Sequence, residues 1–399
     1  MDDKAMIQIN NIFRKKELLK EIFLNKDMNY VIEVLKKNNI IVDKQDIEEF
    51  KYKIAQQVIK TNDNIYSEES GFCIEEYIEN LKEYLPTGII KEDVLEKYKN
   101  SFKDIMKIKT DEVVLETHLL DSKSEVDFSI KIDKNFISEF DEVMNNDNMK
   151  KNIFENKIWN KINNYRVLWE NEKDKVDNIW FEVDYETMNN GIVNPCIFID
   201  GINICNNNYI EHLKYLLDKE TLKDLEGNIK RVVDIILKKS NIFQFGVMLS
   251  RKEKALRIFT YELTYLEYIE CLKKLEWKGD FSQLESIFEF LNVFSEKQYI
   301  LDFNVYEDGI SEKIGINFGV MNNAVLSKFL DKLFSIGLCV EEKRKEILNW
   351  TKIYNGRISR EISHIKMSIY KDMVDIKFYL RVCPNIDGYK CVRSIINKE

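Results

Sequence analysis

Residues 360–383 read REISHIKMSIYKDMVDIKFYLRVC, and this stretch near the end of the chain decides the fold. It alternates between apolar and polar residues on both sides of a turn at Lys371 and Asp372. The apolar face consists of Ile365, Met367, Ile369, Ile376, Phe378 and Leu380. The polar face carries His364, Lys366, Ser368, Tyr370, Asp375, Lys377, Tyr379 and Arg381. This period predicts a β-hairpin whose apolar face is packed and whose polar face either meets solvent or lines a cavity.

The composition is that of a globular protein. The chain has 399 residues, of which 44% are hydrophobic and 32% charged, and its net charge is −9. One large or two medium domains are expected, and the acidic balance argues against nucleic acid as a partner. No apolar run approaches the ~20 residues that span a bilayer, and the first residues lack the pattern of a signal peptide. We therefore expect no membrane insertion. Seven scattered cysteines predict reduced thiols and a cytoplasmic location.

The first 108 residues have the periodicity of helices. Apolar residues recur at helical spacing, with charges between them, in segments 12–25, 43–60, 73–85 and 91–107. Pro86, Thr87 and Gly88 break the pattern between the last two segments. Because this region shows no catalytic constellation, we predict a separate helical domain at 1–108, which packs or docks a partner, and a catalytic domain at 109–399.

From residue 111 onward one pattern repeats: two strand-like runs followed by a long helical stretch. Five predicted hairpins begin at residues 113, 179, 242, 299 and 361. The helical stretches between them are expected at 134–170, 207–239, 264–294 and 321–350. Sequence identity between the units is low, so the repeat is one of architecture.

Each hairpin again has one apolar and one polar face. The apolar face of the third hairpin, for example, is expected to include Phe243, Phe245 and Val247. The intervening helices can cover the apolar faces, and closing ten strands would remove the sheet edges and leave a polar lumen. We predict an α+β fold in which five αββ-type repeats close a ten-stranded antiparallel β-barrel with helices outside. An open sheet with one solvated face is the alternative.

This arrangement resembles the ABBA-type (PT-barrel) aromatic prenyltransferases over about residues 110–385. Lys377-Phe378-Tyr379 resembles the Lys-x-Tyr element that this family places on lumen-facing strands, and Lys366 to Tyr370 and Arg257 to Tyr261 are looser versions. The resemblance implies a natural-product transferase that moves an isoprenyl group from its diphosphate to an aromatic or peptide acceptor. It implies a diphosphate site made of Arg257, Lys366, Lys377 and Arg381, and a shield for the allylic cation made of Tyr261, Tyr306, Tyr370 and Tyr379. Converging cations suit a diphosphate, and aromatic faces stabilise a carbocation and exclude water.

Carboxylates on the predicted lumen face are candidates for the proton acceptor. Glu182 and Asp184 lie two residues apart and so share a face, where one could raise the pKa of the other. Glu116 and Asp302 are further candidates, and His364 could act as an acid or base. Trp180 could stack against a substrate. Alternatively, these charges are cross-strand ion pairs of a solvated sheet.

Two further functions stay open at this stage. The many lumen acids suggest a peptide-modifying enzyme or cyclase of ribosomally made natural products (a RiPP enzyme of lanthipeptide type), whose N-terminal helices hold the leader of a precursor peptide. The second further function is a barrel that binds a ligand without catalysing a reaction. No metal site is predicted, although Mg²⁺ could bridge the acids and a diphosphate. Cations clustered on one wall would favour diphosphate, and interspersed acids and cations would favour peptide chemistry.

Overall fold

The computed structural model describes residues 28–37, 72–172, 175–188, 193–200, 209–252, 255–295, 297–319, 323–354 and 358–384. Contacts divide the chain into two compact units. The smaller unit comprises residues 1–70, 353–358 and 384–399 and includes helix α1 (Met28–Lys37). The larger unit comprises residues 71–352 and 359–383, so residues 71–108 group with the sheet. The predicted helices at 12–25 and 43–60 lie outside the described residues, and a domain boundary at 108 stays a prediction.

The larger unit is built around a closed barrel of ten antiparallel strands. Consecutive strands from β3 to β10 are neighbours, β13 pairs with β3, and the pairing of β10 with β12 completes the circle. The described strands are β1 (Phe72–Cys73), β2 (Lys109–Thr110), β3 (Val113–His118), β4 (Asp127–Asp133), β5 (Asn178–Val183), β6 (Cys196–Asp200), β7 (Ile242–Val247), β8 (Leu256–Thr260), β9 (Ile300–Tyr306), β10 (Gly309–Phe318), β11 (Lys352–Tyr354), β12 (Ile358–Tyr370) and β13 (Met373–Pro384). The predicted barrel is confirmed, and the open sheet is excluded.

Helices follow each of the first four hairpins, as the repeat predicts. The helices of the larger unit are α2 (Ile74–Glu83), α3 (Glu92–Ser101), α4 (Ile137–Met144), α5 (Asp147–Glu155), α6 (Lys157–Asn171), α7 (Tyr209–Leu216), α8 (Lys219–Ile236), α9 (Tyr265–Lys274), α10 (Phe281–Leu291), α11 (Asn323–Ser335) and α12 (Glu341–Leu348). None of the described helices is long and apolar enough to cross a membrane.

The apolar face of the barrel points outward against these helices. Phe181 on β5, for example, meets Phe140 of α4 and Trp159 of α6 edge-on, both at 5.8 Å between ring centroids. The Tyr268 hydroxyl of α9 donates a 2.9 Å hydrogen bond to the Gly315 carbonyl of β10. The core therefore lies between the sheet and the helices, which leaves the polar face to line the lumen.

Helices α2 and α3 are hydrogen-bonded to the segments that lead into β3 and β4. The Tyr98 hydroxyl of α3 donates to the Val126 carbonyl at 2.5 Å, and the Tyr77 hydroxyl of α2 donates to the Thr110 carbonyl at 3.1 Å. Arg360 of β12 is buried and donates to the Tyr84 carbonyl at 2.9 Å. These bonds fix the segment before β3, and with it the start of the barrel.

One predicted orientation is wrong. Phe243 was expected on the outer, apolar face together with Phe245 and Val247. A shift in register between Ile242 and Gln244 interrupts the pairing of β7 with β8, and Phe243 lines the lumen instead. A bulge of this kind reverses the side to which a residue points, and the alternation of residue types alone does not reveal it.

Candidate functional site

The lumen holds a cavity of about 420 Å³ at the end of the barrel where β3, β7 and β9 begin. Seven of its twenty lining residues carry aromatic or imidazole rings. The aromatic rings that line it belong to Trp180, Phe198, Phe243, Phe259, Phe318, His364 and Tyr379. A volume in this range suits a small organic ligand, and the rings offer π-faces to it.

Small residues and stacking hold two of these walls in place. A Cβ atom on Gly246 of β7 would lie 2.4 Å from the Phe198 ring, so the glycine makes room for that ring inside the lumen. Phe198 in turn meets Phe259 edge-on at 6.0 Å. On the other side, His364 stacks on Tyr379 with ring centroids 4.0 Å apart. Burial lowers the pKa of His364 to about 4, and the Lys366 cation adds to this shift, so the imidazole is neutral near pH 7.

A second, smaller recess of about 100 Å³ lies deeper in the lumen. It shares Glu182, Arg257 and Tyr379 with the aromatic cavity. Its lining carries five cations and three carboxylates, which gives a formal excess of two positive charges. The charged residues of the lining are Arg251, Arg257, Lys313, Lys366, Lys377, Glu116, Glu182 and Asp302. The cations and acids are interspersed rather than segregated onto separate walls.

Two of the predicted residues form a buried ion pair in this recess. Lys366 donates to Asp302 at 2.7 Å, and the Asn317 amide donates to the same carboxylate at 2.7 Å. Burial alone would raise the pKa of Asp302, but the Lys366 and Arg257 cations hold it below its ordinary value. Asp302 therefore acts as a counter-ion in the ligand-free protein, which makes it a poor proton acceptor.

The Lys-x-Tyr element is bound by a carboxylate of its own chain. Glu116 on β3 accepts a hydrogen bond from Lys377, and the nearby Tyr379 hydroxyl helps to lower its pKa. Tyr379 stands directly opposite Glu116 in the pairing of β13 with β3. Burial opposes the charge on Glu116, but Lys377, Lys366 and these contacts hold its pKa well below the usual range. Glu116 is thus anionic, and its carboxylate is bound to Lys377.

The predicted pair of Glu182 and Asp184 is joined by a third residue. Arg251, from the loop between β7 and β8, donates to Glu182 at 2.6 Å and to Asp184 at 2.8 Å. Burial raises the pKa of Glu182 above its ordinary value, while the Arg251 cation opposes this shift. Since Glu182 also lines the aromatic cavity, it is a carboxylate that lies at the junction of the two spaces.

Two cations of the recess have no carboxylate partner among the described residues. Arg257 donates to the Asn304 side chain at 3.0 Å, and Lys313 projects from β10 at the edge of the recess. Within the described part of the chain, neither residue forms an ion pair. Burial, together with repulsion from Lys377, lowers the pKa of Lys313, which is the effect expected for a cation without a counter-ion.

The remaining predicted residues lie elsewhere. Arg381 lines the aromatic cavity, where it pairs with Glu112 at 2.8 Å. The three tyrosines Tyr261, Tyr306 and Tyr370 stand at or just beyond strand ends and are not among the lining residues of either space. Their role as a shield for a cation stays a prediction.

Two cations of the recess lining, Lys313 and Arg251, were not among the predicted site residues. Lys313 could have been found, because it falls on the polar face of its strand. Arg251 could not, because it sits in a loop, where alternation carries no information. The alternation of residues predicts that Phe198 and Phe259 face the lumen, but no sequence motif identifies them as site residues.

No group of three or more His, Cys, Asp and Glu side chains that could hold a metal ion occurs among the residues that the structure describes. The three carboxylates of the recess, Glu116, Glu182 and Asp302, are each bound by a lysine or an arginine. Binding of Mg²⁺ together with a diphosphate stays a prediction.

Comparison with solved structures identifies the fold. The prenyltransferase PriB in its apo form is 8% identical over 80% of this chain and 97% of that chain, with a TM-score of 0.51. The 6-dimethylallyltryptophan synthase from Micromonospora olivasterospora is 11% identical over 77% of this chain and 95% of that one, with a TM-score of 0.47. AnaPT from Neosartorya fischeri is 11% identical over 87% of this chain and 96% of that chain, with a TM-score of 0.41.

The chain therefore has the PT-barrel fold of the ABBA-type prenyltransferases, as its sequence predicts. No protein-family model matches the chain, and no curated protein matches it in sequence. At 8% identity the likeness to PriB defines the architecture, and the chemistry must be argued from the side chains of this chain.

Proposed function

We propose that this protein is a prenyltransferase-like enzyme that binds an isoprenyl diphosphate and transfers the isoprenyl group to an aromatic acceptor. The observation that carries the proposal is the contact between two unlike spaces in one lumen. An aromatic cavity adjoins a recess with an excess of cations, and Arg257 and Tyr379 line both. An isoprenyl diphosphate has the same two parts, an apolar chain and an anionic head.

The diphosphate would be held in the recess by Arg257 and Lys313. Both are cations that form no ion pair within the described residues, so neither must leave a carboxylate to bind an anion. Hydrogen bonds from charged donors to phosphate oxygens are short and strong. The formal excess of positive charge, two within the recess lining, favours an anion there over a neutral group.

The isoprenyl chain and the acceptor would share the aromatic cavity. Trp180, Phe198 and Phe259 lie on β5, β6 and β8 and pack together around Cys196 and Met248. When the carbon–oxygen bond to diphosphate breaks, positive charge develops on the allylic carbon, and facing π-systems stabilise it. The same walls exclude water, which would otherwise capture the cation.

Glu182 is the best-placed proton acceptor. As the new carbon–carbon bond forms, the acceptor ring must lose a proton, and Glu182 lies where the two spaces meet. Burial raises its pKa, which strengthens it as a base, while Arg251 holds the carboxylate in place at 2.6 Å. Diphosphate leaves with the electron pair of the broken bond, so atoms and charges balance.

The test is a transfer assay. Purified protein is incubated with dimethylallyl, geranyl or farnesyl diphosphate and a panel of aromatic acceptors, and products are followed by mass spectrometry and by the release of diphosphate. We expect a prenylated product with at least one acceptor, and its loss in Arg257→Gln. Arg344→Gln, which removes an arginine paired with Asp331 on the outer helices, serves as the matched control.

If no donor yields either product or bound complex, the proposal is wrong. The peptide-modifying and non-catalytic alternatives would then regain weight, because interspersed acids and cations were the pattern expected for peptide chemistry. Precursor peptides and apolar ligands would be screened next.

A further inference from the structure

We propose that Glu116 is an internal anion that occupies part of the diphosphate site in the ligand-free protein and is displaced when the ligand binds. This inference rests on the proposed function and names a residue that determines the strength of anion binding. Its starting point is that Glu116 binds Lys377 of the Lys-x-Tyr element and stands directly opposite Tyr379 of the same element.

The contacts of Glu116 are those that a bound phosphate would make. Lys377 supplies a charged donor, the Tyr379 hydroxyl helps to hold the pKa of Glu116 low, and all three residues line the recess. Glu116 is 6% exposed, so it satisfies these donors in a place that water barely reaches. An unpaired buried lysine would be costly, and the carboxylate removes that cost until a ligand arrives.

The neighbouring strand offers Glu116 an alternative state. Asp127 on β4 stands directly opposite Glu116 and accepts a 2.9 Å hydrogen bond from the Tyr185 backbone amide. Burial, reinforced by the negative charge on Glu116, raises the pKa of Asp127 to about 8, so near neutral pH the pair holds one proton. When a phosphate takes over Lys377, Glu116 loses the cation that holds its pKa low and can take up a proton, while Asp127 keeps its backbone donor.

The other charged groups around Glu116 agree with this exchange. Lys366 from β12 favours its charge, while Glu182 from β5 repels both carboxylates of the pair. A diphosphate in the recess would increase that repulsion, which drives Glu116 toward its neutral form. The ion pair between Lys366 and Asp302 has its own amide donor from Asn317 and remains intact.

The experiment measures binding of inorganic diphosphate by calorimetry near neutral pH, using the full chain and two variants. Glu116→Gln keeps the shape of the side chain and removes its charge. Asp375→Asn removes a carboxylate that affects Lys377 through space but bonds to His118 instead. We expect the dissociation constant to fall at least about tenfold in Glu116→Gln and less than about threefold in Asp375→Asn.

Thermal unfolding provides a second reading. Without ligand, Glu116→Gln should melt at a lower temperature than the wild type, because Lys377 loses its counter-charge. Saturating diphosphate should raise its melting temperature by more than it raises that of the wild type. If Glu116→Gln does not fold, the wild type is crystallised with diphosphate, and the account requires a phosphate oxygen on Lys377 with the Glu116 contact broken.

The outcomes separate this inference from the proposed function. Diphosphate that binds the wild type, with no tightening in Glu116→Gln or with equal tightening in Asp375→Asn, overturns the inference alone. An intact contact between Lys377 and Glu116 beside a bound diphosphate overturns it too. Absence of diphosphate binding to both the wild type and Glu116→Gln overturns the proposed function as well.

Discussion

Lys366 on β12 reaches Asp302 on β9 across the strand that lies between them. The two side chains meet at 2.7 Å over Gly315 of β10, which pairs with Asp302 on one side and with Ser368 on the other. A Cβ atom on Gly315 would lie 2.0 Å from an Asp302 carboxylate oxygen and 2.6 Å from Lys366 Cε. The missing side chain at Gly315 is therefore what allows the pair to form.

Gly315→Ala should destabilise the protein by about 2 kcal/mol or more, because the methyl group would collide with both members of a buried ion pair and separate them. Chemical denaturation measures the effect. The control is Gly227→Ala in α8, where nothing lies within 4 Å of the added carbon. That change should stabilise the protein by about 0.5–1 kcal/mol through helix propensity. Equal effects of the two changes would contradict this account of Gly315.

The same pair predicts strong coupling between its members. Lys366→Met alone leaves the Asp302 carboxylate buried without its cation and should cost about 3–5 kcal/mol of stability. Asp302→Leu alone leaves the buried lysine without its counter-ion and should lower the stability by a similar amount. The double change should recover most of the loss, which a double-mutant cycle in denaturant detects. Additive effects would show that the two charges do not depend on each other.

Lys343 predicts a dependence of stability on pH. It is fully buried on α12, its amine donates to the Thr117 hydroxyl at 2.7 Å, and burial lowers its pKa from 10.5 to about 8. The unfolded chain therefore binds this proton more tightly than the folded one. Between about pH 8 and 10.5, the free energy of unfolding should gain up to about 3 kcal/mol from this group as pH rises.

Lys343→Met isolates that contribution. The difference in unfolding free energy between wild type and variant should change with pH in that window, with the variant relatively more stable below pH 8. Lys345→Met, an exposed position on the same helix, should show a difference that stays within about 0.5 kcal/mol at all pH values. A flat difference for Lys343→Met would mean that its amine is solvated.

Glu182→Gln should lower kcat of the proposed transfer by about 10²–10⁴-fold, the range for loss of a general base, while isoprenyl diphosphate still binds. Because burial raises the pKa of Glu182, the rate of the wild type should rise with pH through a value above about 4.5, the ordinary carboxyl value. Glu289→Gln, on an outer helix, should retain the wild-type rate. Retained kcat in Glu182→Gln would assign the proton to another acceptor.

Alternation and repetition sufficed to predict the barrel. In each strand, the alternation of apolar and polar residues shows which side faces the core. The helical stretches between the hairpins can pack on the apolar side. Closure of the sheet into a barrel then follows from the need to bury apolar surface and to pair the edge strands. The failure at Phe243 has a local cause. A one-residue bulge before Gln244 depends on the neighbouring strand, which a period of two cannot report.

The candidate site was predictable in its residue types but not in its pairings. Lys366, Lys377, Glu116, Glu182 and Asp302 were all expected to face the lumen, and all of them line the recess. Which acid meets which lysine depends on strand order and barrel shear, as Lys366 with Asp302 illustrates. Arg251 could not be predicted from the sequence pattern, because the position of a loop residue depends on the tertiary structure.

The most direct test of the central claim is calorimetric titration of geranyl diphosphate into wild type, Arg257→Gln and Arg344→Gln. The account predicts saturable binding to the wild type and to Arg344→Gln. It predicts at least about tenfold weaker binding to Arg257→Gln, since hydrogen bonds to charged groups contribute about 1.5–3 kcal/mol. Binding of equal strength to all three proteins, or to none of them, would contradict the placement of an isoprenyl diphosphate in this lumen.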